Sequence, residues 1–481
     1  MFRSAPSAGR LAVAALIAAP LAAQAPAPSP AHSPTPSQVL AAALEAYVAE
    51  VLARHPDLDR AMESVAVENL KIPQARSLED PVLGLEYSRS PDTQMGVRED
   101  MKSRALTVSQ VLPWPGKRDR RETIARQAAA GEEAARDRVR LGLRAEAQRA
   151  FVGLMLVREQ AGLLDLQDRL AAQAEGAVRA RFEAGQGSQA DLLRAQLERS
   201  RLLQRRWTAE AELRARLAAF NALRDQPADL AFETPFTLDA LPDPDPAVWA
   251  DLAEAEAARS PEIAAADAHL IHAQAAIHEN RLNLRPDFVV SGGVMRTEGV
   301  GSGWKVGLGL SLPVWAGSKQ RKAVQQWEAE HRMHLGERRV AALNLSRAQA
   351  ERRTQAEGIR KVLRLYREGL LTQSRAALDA ALLQLESGRA GYLGVLEAVQ
   401  GYIADRNAML EAQAQLQASA IAAEELNPGP TPPIPGLVLA GLSGGAAMGA
   451  GGGSAAGAAM PKKEAEAAAS SAPTTPSLKS M

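Results

Sequence analysis

Polar and apolar residues alternate with a period of two in four short stretches of the chain, which form two pairs. Such alternation is typical of strands that have one apolar face. Polar loops, at 90–103 and 296–302, separate the members of each pair, so the pattern predicts two β-hairpins. The predicted strands are Leu83–Ser88, Leu106–Leu112, Phe288–Met295 and Lys305–Leu312.

A different period follows each hairpin. From Lys117 to Ala184 there is no proline, and apolar residues recur at alternating spacings of four and three, which predicts a coiled-coil helix. At 1.5 Å per residue this helix would be about 100 Å long. The turn 185–188 ends it, and Ser188 is a suitable N-cap for a returning helix to about Ala222. The second half repeats the pattern over about 319–386 and then to about Glu425.

The two halves are an internal repeat at a spacing of roughly 200 residues. Four landmarks recur in the same order, and each alone is a weak match. They are Ala53–Leu58 with Ala258–Ile263, Pro81 with Pro286, Leu112-Pro113 with Leu312-Pro313, and Phe182–Gly185 with Leu385–Gly388. Each half therefore reads as helix, strand, strand, long helix, turn, long helix.

Segments without periodicity lie outside the repeats. Residues 1–25 resemble a cleaved secretory signal, with arginines before a short apolar run and an Ala-Gln-Ala cleavage pattern; the alternative is an uncleaved tail. The other predicted boundaries are a Pro/Ala-rich linker at 26–36, the first repeat at 37–226, an inter-repeat linker at 227–246, the second repeat at 247–426 and a disordered Gly/Ala/Pro-rich tail at 427–481.

Composition narrows the function classes. The chain of 481 residues has 56 basic and 56 acidic residues, which argues against a nucleic-acid-binding protein. It has no cysteine, so disulfides, thiolate sites and Cys-linked lipid anchors are excluded. Six tryptophans, five tyrosines and seven phenylalanines are few for this length, so alanine and leucine must fill the core. The mature chain is therefore an exported protein built mainly of long helices.

The strands have the length and alternation of an outer-membrane barrel wall. Trp114, Trp304 and Trp315 lie at predicted strand ends, where an aromatic girdle would lie. The alternative is an ordinary soluble four-stranded sheet packed on helices. Because the smallest barrels have about eight strands, four strands in lipid would have to be completed by other chains. The long helices would then project together into the periplasm as a conduit; the alternative is a coiled-coil spacer or adaptor.

At these positions the chain resembles the TolC-like outer-membrane factors of tripartite efflux and type I secretion systems. The resemblance covers about 37–426. It rests on the duplicated Ala-Arg-x-Pro segments, the Leu-Pro-Trp-Pro-Gly-Lys junction at 112–117, and the Arg-Phe-Glu-Ala-Gly tip at 181–185 with Asp191-Leu192-Leu193. The junction looks more like the heavy-metal-efflux branch than the drug or protein-secretion branches.

The resemblance implies a homotrimer in the bacterial outer membrane. Each chain would give four strands to a twelve-stranded β-barrel in lipid, and its helical hairpins would form a periplasmic α-barrel. A periplasmic adaptor protein would couple this duct to an inner-membrane pump of the resistance-nodulation-division type. Substrates would pass through passively; the runner-up function is a soluble periplasmic adaptor or scaffold.

The resemblance also assigns roles near the hairpin tips. Gly185 and Gly388 would lie in the tip turns that meet the adaptor, although each is also explained as a helix C-cap. The periplasmic aperture would involve Asp191, Arg194 and Glu397. Gly394 replaces an acid that the family pattern places there, and Glu397 is alternatively a solvated helix residue.

Other polar clusters give weaker signals. His269 and His272, like His331 and His334, have the i, i+3 spacing of a metal pair, but without a third ligand we interpret these and His278 as solvated histidines. The basic run 117–121 predicts anchoring at the membrane boundary. The sequence has no Gly-rich phosphate loop, G-x-S-x-G or H-E-x-x-H motif, so we expect no enzyme activity, no cofactor and no resident metal.

Overall fold

The computed structural model describes residues 36–92, 99–232, 237–252, 254–389 and 391–434, and the predicted signal peptide and most of the predicted tail lie outside them. The first repeat contains α1 (Pro36–Arg54), α2 (Pro56–Arg76), β1 (Val82–Asp92), β2 (Glu99–Leu112), α3 (Lys117–Glu183) and α4 (Gln189–Leu223). The second contains α5 (Glu254–Ala257), α6 (Pro261–Leu282), β3 (Asp287–Thr297), β4 (Gly301–Ser311), α7 (Gln320–Leu365), α8 (Leu371–Glu386) and α9 (Tyr392–Glu424).

The predicted long helices are present. α3 is one continuous helix of 67 residues. α2 packs along its sheet-proximal half, and α4 returns along its distal half to form the first helical hairpin. In the second repeat α7 and α8 together correspond to α3, but a π-helical turn at Tyr366–Leu370 separates them. The sequence pattern did not predict that turn.

The helix that opens the first repeat is divided in two. Pro56 occupies the first position of α2, and the His55 side chain accepts a hydrogen bond from the Asp57 N–H. Proline is well suited to a first helical turn because it has no N–H to leave unpaired. In the second repeat proline likewise occupies the first position of α6, after Ser260.

The two predicted hairpins join into one antiparallel sheet in the order β1-β2-β3-β4. β1 extends to Asp92 and β2 begins at Glu99, so the prediction of a loop over 90–103 was wrong at both ends. The second turn is short, from Glu298 to Val300. Below the sheet α2, α3, α6 and α7 pack in the same order as the strands to which they connect. Each strand therefore continues into a helix of one wall.

The sheet is strongly curved. Glu86 lies in β1 and Lys305 in β4, at opposite edges, yet Lys305 Nζ is 3.3 Å from Glu86 Oε2. In a flat sheet three strand spacings would hold the two backbones roughly 14 Å apart. The ion pair therefore requires that the sheet bends towards the face that carries both residues, which we call the concave face.

Glycine permits this curvature. A Cβ on Gly293 would lie 2.3 Å from the Leu106 carbonyl oxygen, and one on Gly307 would lie 2.6 Å from Ser291 Oγ. Both glycines are on the concave face, where bending brings neighbouring strands together. Larger side chains at these positions would force the strands apart.

The main core lies in the helical half of the molecule. Tyr47 of α1 stacks on Phe220 of α4, with ring centroids 3.9 Å apart, and donates a hydrogen bond to the Phe220 carbonyl oxygen. Phe151 and Phe232 complete this aromatic group. Elsewhere buried alanine and leucine dominate, as the composition predicted. Four of the chain's few aromatic residues thus anchor the short α1 to the first hairpin.

Candidate functional site

The convex face of the sheet is apolar and exposed. Leu308 is 84% exposed and Leu85 is 83% exposed, although both are in the middle of strands. Large exposed apolar patches on a folded chain indicate a surface that meets lipid or protein. The exposed residues of this face include Leu83, Leu85, Tyr87, Leu106, Val108, Val294, Trp304, Val306, Leu308 and Leu310.

The concave face has the opposite character. Over 82–89, 102–112, 287–297 and 301–311 its positions are mainly glycine, serine, threonine and alanine, and its charged residues there, apart from Asp287 at the helical end, are Glu86 and Lys305. An apolar outer face and a small, polar inner face are the two surfaces of a water-filled membrane barrel. Both edges, β1 and β4, have free backbone hydrogen-bonding groups on one side. This wall is therefore incomplete in one chain.

The three predicted interface tryptophans lie at the two ends of the strands. Trp304 projects from the convex face of β4 near the turn that joins it to β3, and Trp315 follows β4 at the helical end; they are 80% and 74% exposed. Trp114, also at the helical end, is half-buried because it stacks on Phe288 with centroids 5.6 Å apart. The interface role of all three remains a prediction.

A buried ion pair joins the two repeats at the helical end of the sheet. Lys117, only 3% exposed, donates to Asp287 Oδ1 at 2.8 Å and to the Arg285 carbonyl oxygen at 2.9 Å. The same Asp287 oxygen accepts from the Trp114 N–H at 2.8 Å. The sequence predicted that the basic run 117–121 anchors the chain at the membrane boundary. This was wrong for Lys117, because its ammonium group is buried and bonds to Asp287 and to the Arg285 carbonyl oxygen.

Two other arginines of the basic run also contact protein groups. Arg118 Nε donates to the Arg76 carbonyl oxygen at 2.6 Å, at the C-terminus of α2. Arg121 lies 3.8 Å from Glu279 of α6. These bonds tie the start of α3 to the helices on both sides of it.

The two hairpin tips share one backbone motif. Gly185 has φ 71° and Gly388 has φ 75°, the left-handed region in which glycine is favoured. In each tip the glycine N–H and the next N–H bond back to carbonyl oxygens of the last helical turn, which is a Schellman C-cap. A Cβ at either position would meet nothing within 4 Å, so the backbone angle, and not space, requires glycine. The cap role is thus observed, and adaptor contact remains a prediction.

The aperture candidates differ between the repeats. Arg194 Nη1 is 3.7 Å from Asp191 Oδ1, so the first-repeat pair neutralises itself. Glu397 in α9 is exposed, and no described residue lies within ion-pair distance of it. Gly394, one turn earlier, leaves open space. Only the second repeat therefore presents an uncompensated carboxylate here among the described residues.

Tyr392 fixes the start of α9 below the second tip. Its side chain is 2% exposed and belongs to the core with Val395. Burial, and then the charges of Glu198 and Glu175, raise the pKa of Tyr392 to about 12. The phenol is therefore neutral at physiological pH. Sequence reasoning missed this anchor, although an aromatic residue at the first position of a predicted helix was a signal.

The part of the inter-repeat linker from 237 to 246 forms a strap across the long helices. Gln413 and Gln417 of α9 donate to the Leu238 and Pro242 carbonyl oxygens, each at 2.9 Å. Asp243 accepts from Arg367 of the π-helical turn at 2.9 Å, and this bond raises the pKa of Arg367. The sequence predicted this segment only as an inter-repeat linker, and its contacts with α9 and the π-helical turn were not predicted.

The histidines meet at the contact between α6 and α7. His269 stacks on His334 with centroids 5.1 Å apart, and His272 packs against the edge of Trp327. His278 is exposed. No group of three or more His, Asp or Glu side chains among the described residues could hold a metal ion.

None of the helices in the described part of the chain combines enough length and apolar character to cross a bilayer.

Known proteins share this architecture. Residues 252–426 match the family model of the outer membrane efflux proteins. The cobalt-zinc-cadmium resistance protein CzcC of Cupriavidus metallidurans is 26% identical over 352 residues, which cover 71% of this chain and 82% of CzcC.

Two solved channels show the same fold. The outer-membrane channel OprN superposes with a TM-score of 0.64 at 20% identity, covering 81% of this chain and 91% of that one. CusC, described in connection with transmembrane channel formation, gives 0.63 at 17% identity over 79% and 91%. Residues 252–426 thus match the outer membrane efflux protein family, and the chain as a whole is similar in sequence to CzcC and in fold to the two channels.

Proposed function

We propose that this protein is the outer-membrane exit duct of a tripartite efflux system. The observation that carries the proposal is the curved sheet, which is apolar and exposed on its convex face, small and polar on its concave face, and open at both edges. Lipid does not tolerate open strand edges, so copies of the chain complete the wall. With four strands per chain, three copies make the twelve-stranded barrel of the family.

The soluble adaptor or scaffold fits this surface poorly. A soluble sheet would bury its apolar face against helices, whereas here leucine and valine side chains project from both central and edge strands into the surroundings. The helices instead continue from the strands, away from the barrel, and reach into the periplasm. Export through such a duct is passive, and an inner-membrane pump of the resistance-nodulation-division type supplies the energy through a periplasmic adaptor at the Gly185 and Gly388 tips.

Divalent metal cations are the proposed substrates. The support is the similarity to a protein named for resistance to cobalt, zinc and cadmium, together with the Leu-Pro-Trp-Pro-Gly-Lys junction. The neutral overall charge and the Glu86–Lys305 pair inside the sheet give the duct little selectivity of its own. Discrimination among substrates therefore belongs to the pump.

Fractionation tests the duct. The protein should be in the detergent-extracted outer-membrane fraction and run as a heat-sensitive trimer in mild denaturing gels. Recovery as a soluble monomer from the periplasm would contradict the barrel and favour the adaptor.

A deletion strain tests the substrate. Loss of the gene should lower tolerance to cobalt, zinc, cadmium or copper while tolerance to dyes and detergents stays at the parental level, and the intact gene should restore it. Unchanged tolerance to all four metals would refute the metal substrate and leave the duct untouched.

A further inference from the structure

Two arginines face each other across β2 and β3 at the turn end of the sheet. Arg104 and Arg296 are directly opposite in the antiparallel register, and both are exposed. No acidic side chain among the described residues lies within ion-pair distance of either. Like charges opposite each other on neighbouring strands destabilise the pairing. The two arginines therefore repel each other, and a bound anion would relieve this repulsion.

The arginines lie at the boundary of the apolar surface. The register places Arg104 beside Tyr87, so both arginines belong to the convex face. One step towards the helices, the same face carries Leu106, Val294 and Trp304 in register. Tyrosine and tryptophan at the edge of an apolar band mark the depth of lipid headgroups. The guanidinium groups thus lie at the level at which lipid phosphates lie.

The end of the sheet identifies the leaflet. α2, α3, α6 and α7 all join the strands at the opposite end, so the arginines are at the end farthest from the helical tube. If the tube is periplasmic, which rests on the proposed function, this end meets the outer leaflet. The phosphate-bearing lipid there is a phosphorylated glycolipid.

We propose that Arg104 and Arg296 together bind a phosphate group of an outer-leaflet glycolipid. A phosphate carries nearly two negative charges at neutral pH and accepts several hydrogen bonds, and planar guanidinium groups donate to it in pairs. One phosphate between the two side chains removes their repulsion and orders both. A trimer has three such sites around its outer rim.

The nearby Lys102 provides a matched control. It lies on the same face one step nearer the turn, but its Nζ is 3.7 Å from Glu298 Oε2, so it already has a counter-charge. Removing its charge should therefore not weaken phosphate binding appreciably.

The test is a titration of the purified detergent-solubilised trimer with three probes: bisphosphorylated lipid A, the same lipid without phosphates, and inorganic phosphate. Binding is followed by native mass spectrometry and by the unfolding temperature. Lipid A should bind tightest and raise the unfolding temperature. Arg104→Gln and Arg296→Gln should each weaken it about tenfold, a loss of one or two charge-assisted hydrogen bonds, while Lys102→Gln should not.

A second measurement separates binding from folding. In lipid-free detergent Arg104→Gln or Arg296→Gln should raise the unfolding temperature, because repulsion between the two arginines is lost. Wild-type lipid A affinity in both arginine variants would overturn the proposal. Equal affinity of the wild-type protein for lipid A and for the dephosphorylated lipid, or tight binding of inorganic phosphate alone, would also overturn it. Failure of the proposed function would be seen separately, as a protein that never enters the membrane fraction.

Discussion

Single charged residues hold the boundary between sheet and helices together. Lys117 comes from the first repeat and Asp287 from the second, so their ion pair joins the two hairpins at the point where strands become helices. Breaking a buried pair by removing one partner leaves an uncompensated charge, which costs more than the pair contributes. Lys319, at the corresponding junction of the second repeat, is exposed.

Replacement of Lys117 by methionine should therefore destabilise the protein by about 2–3 kcal/mol, somewhat below the cost of a fully buried pair because Asp287 is partly exposed. Thermal unfolding of the detergent-solubilised protein measures it. The Lys117→Met, Asp287→Asn double variant should recover most of the loss, since the amide still accepts from the Trp114 N–H. Lys319→Met is the control, and an equal loss there would show that the ion pair is not the cause.

Protonation should loosen the contact between α6 and α7. Burial, and then the neighbouring charges of His269 and His334, lower the pKa of His272, while Glu330 opposes the shift. The fold thus favours neutral His272. Its contribution to stability is complete above the ordinary pKa of about 6.5 and is lost as the pH falls through the lower folded value.

Hydrogen exchange in α6 and α7 should accordingly become faster as the pH is lowered from 7.5 to 5, after correction for the intrinsic pH dependence of exchange. In His272→Gln the corrected increase should shrink. His278→Gln, an exposed change in the same helix, should keep the wild-type response. If His278→Gln removes the increase as well, the response is not specific to His272.

At the scale of elements, local periodicity predicted almost every helix and strand. The alternation in 305–312 and the apolar coiled-coil repeat after Lys117 involve residues close together in the sequence, so these elements can be predicted from the sequence alone. The pairing of β2 with β3 joins residues from different repeats, and nothing local specifies it. For the same reason the Lys117–Asp287 pair and the strap contacts could not be predicted.

The tip turns should tolerate alanine poorly. Gly185→Ala forces a side chain into the left-handed region and should cost about 1 kcal/mol. Gly176→Ala, at an exposed site inside α3 where a Cβ meets nothing, should instead stabilise by about 0.5–1 kcal/mol. Denaturant unfolding compares the two, and opposite signs are expected.

Measuring export distinguishes the two roles of Gly185 and Gly388, the helix C-cap and the contact with the adaptor. Gly185→Pro or Gly388→Pro removes an N–H of the cap and should abolish metal export in cells while the trimer persists. Loss of the trimer instead would mean that the glycines act in folding, and full export would exclude the tips from adaptor contact.

At the scale of the whole molecule, the two edges of the sheet should meet between copies. Glu86 and Lys305 are in contact within one chain, so the two cysteines are introduced in separate, co-expressed single variants, Glu86→Cys and Lys305→Cys. Because the chain has no other cysteine, a link between the two thiols can then join only different copies. In a twelve-stranded barrel β4 of one copy lies beside β1 of the next. A thiol-reactive bifunctional reagent should then yield covalent dimers on denaturing gels. Unlinked monomers alone would contradict a barrel shared between copies.

The aperture makes a separate prediction for the assembled duct. Three copies of the unpaired Glu397 would repel one another and attract cations. Glu397→Gln should raise single-channel conductance or reduce block by divalent cations in planar bilayers. Asp191→Asn should have the smaller effect, because Arg194 already neutralises that carboxylate. Identical traces for wild type and Glu397→Gln would remove this residue from the gate.

The inner face of β4 has a further consequence for traffic through the duct. Gly301, Gly303, Gly307 and Gly309 occupy four of its concave positions, although glycine weakens a strand. A residue without a side chain takes no room from the bore. Ionic conductance grows with the cross-section of a pore. The glycines therefore make the strand less rigid but leave a wider water-filled bore. The β-barrel is in this respect a low-resistance segment of the duct.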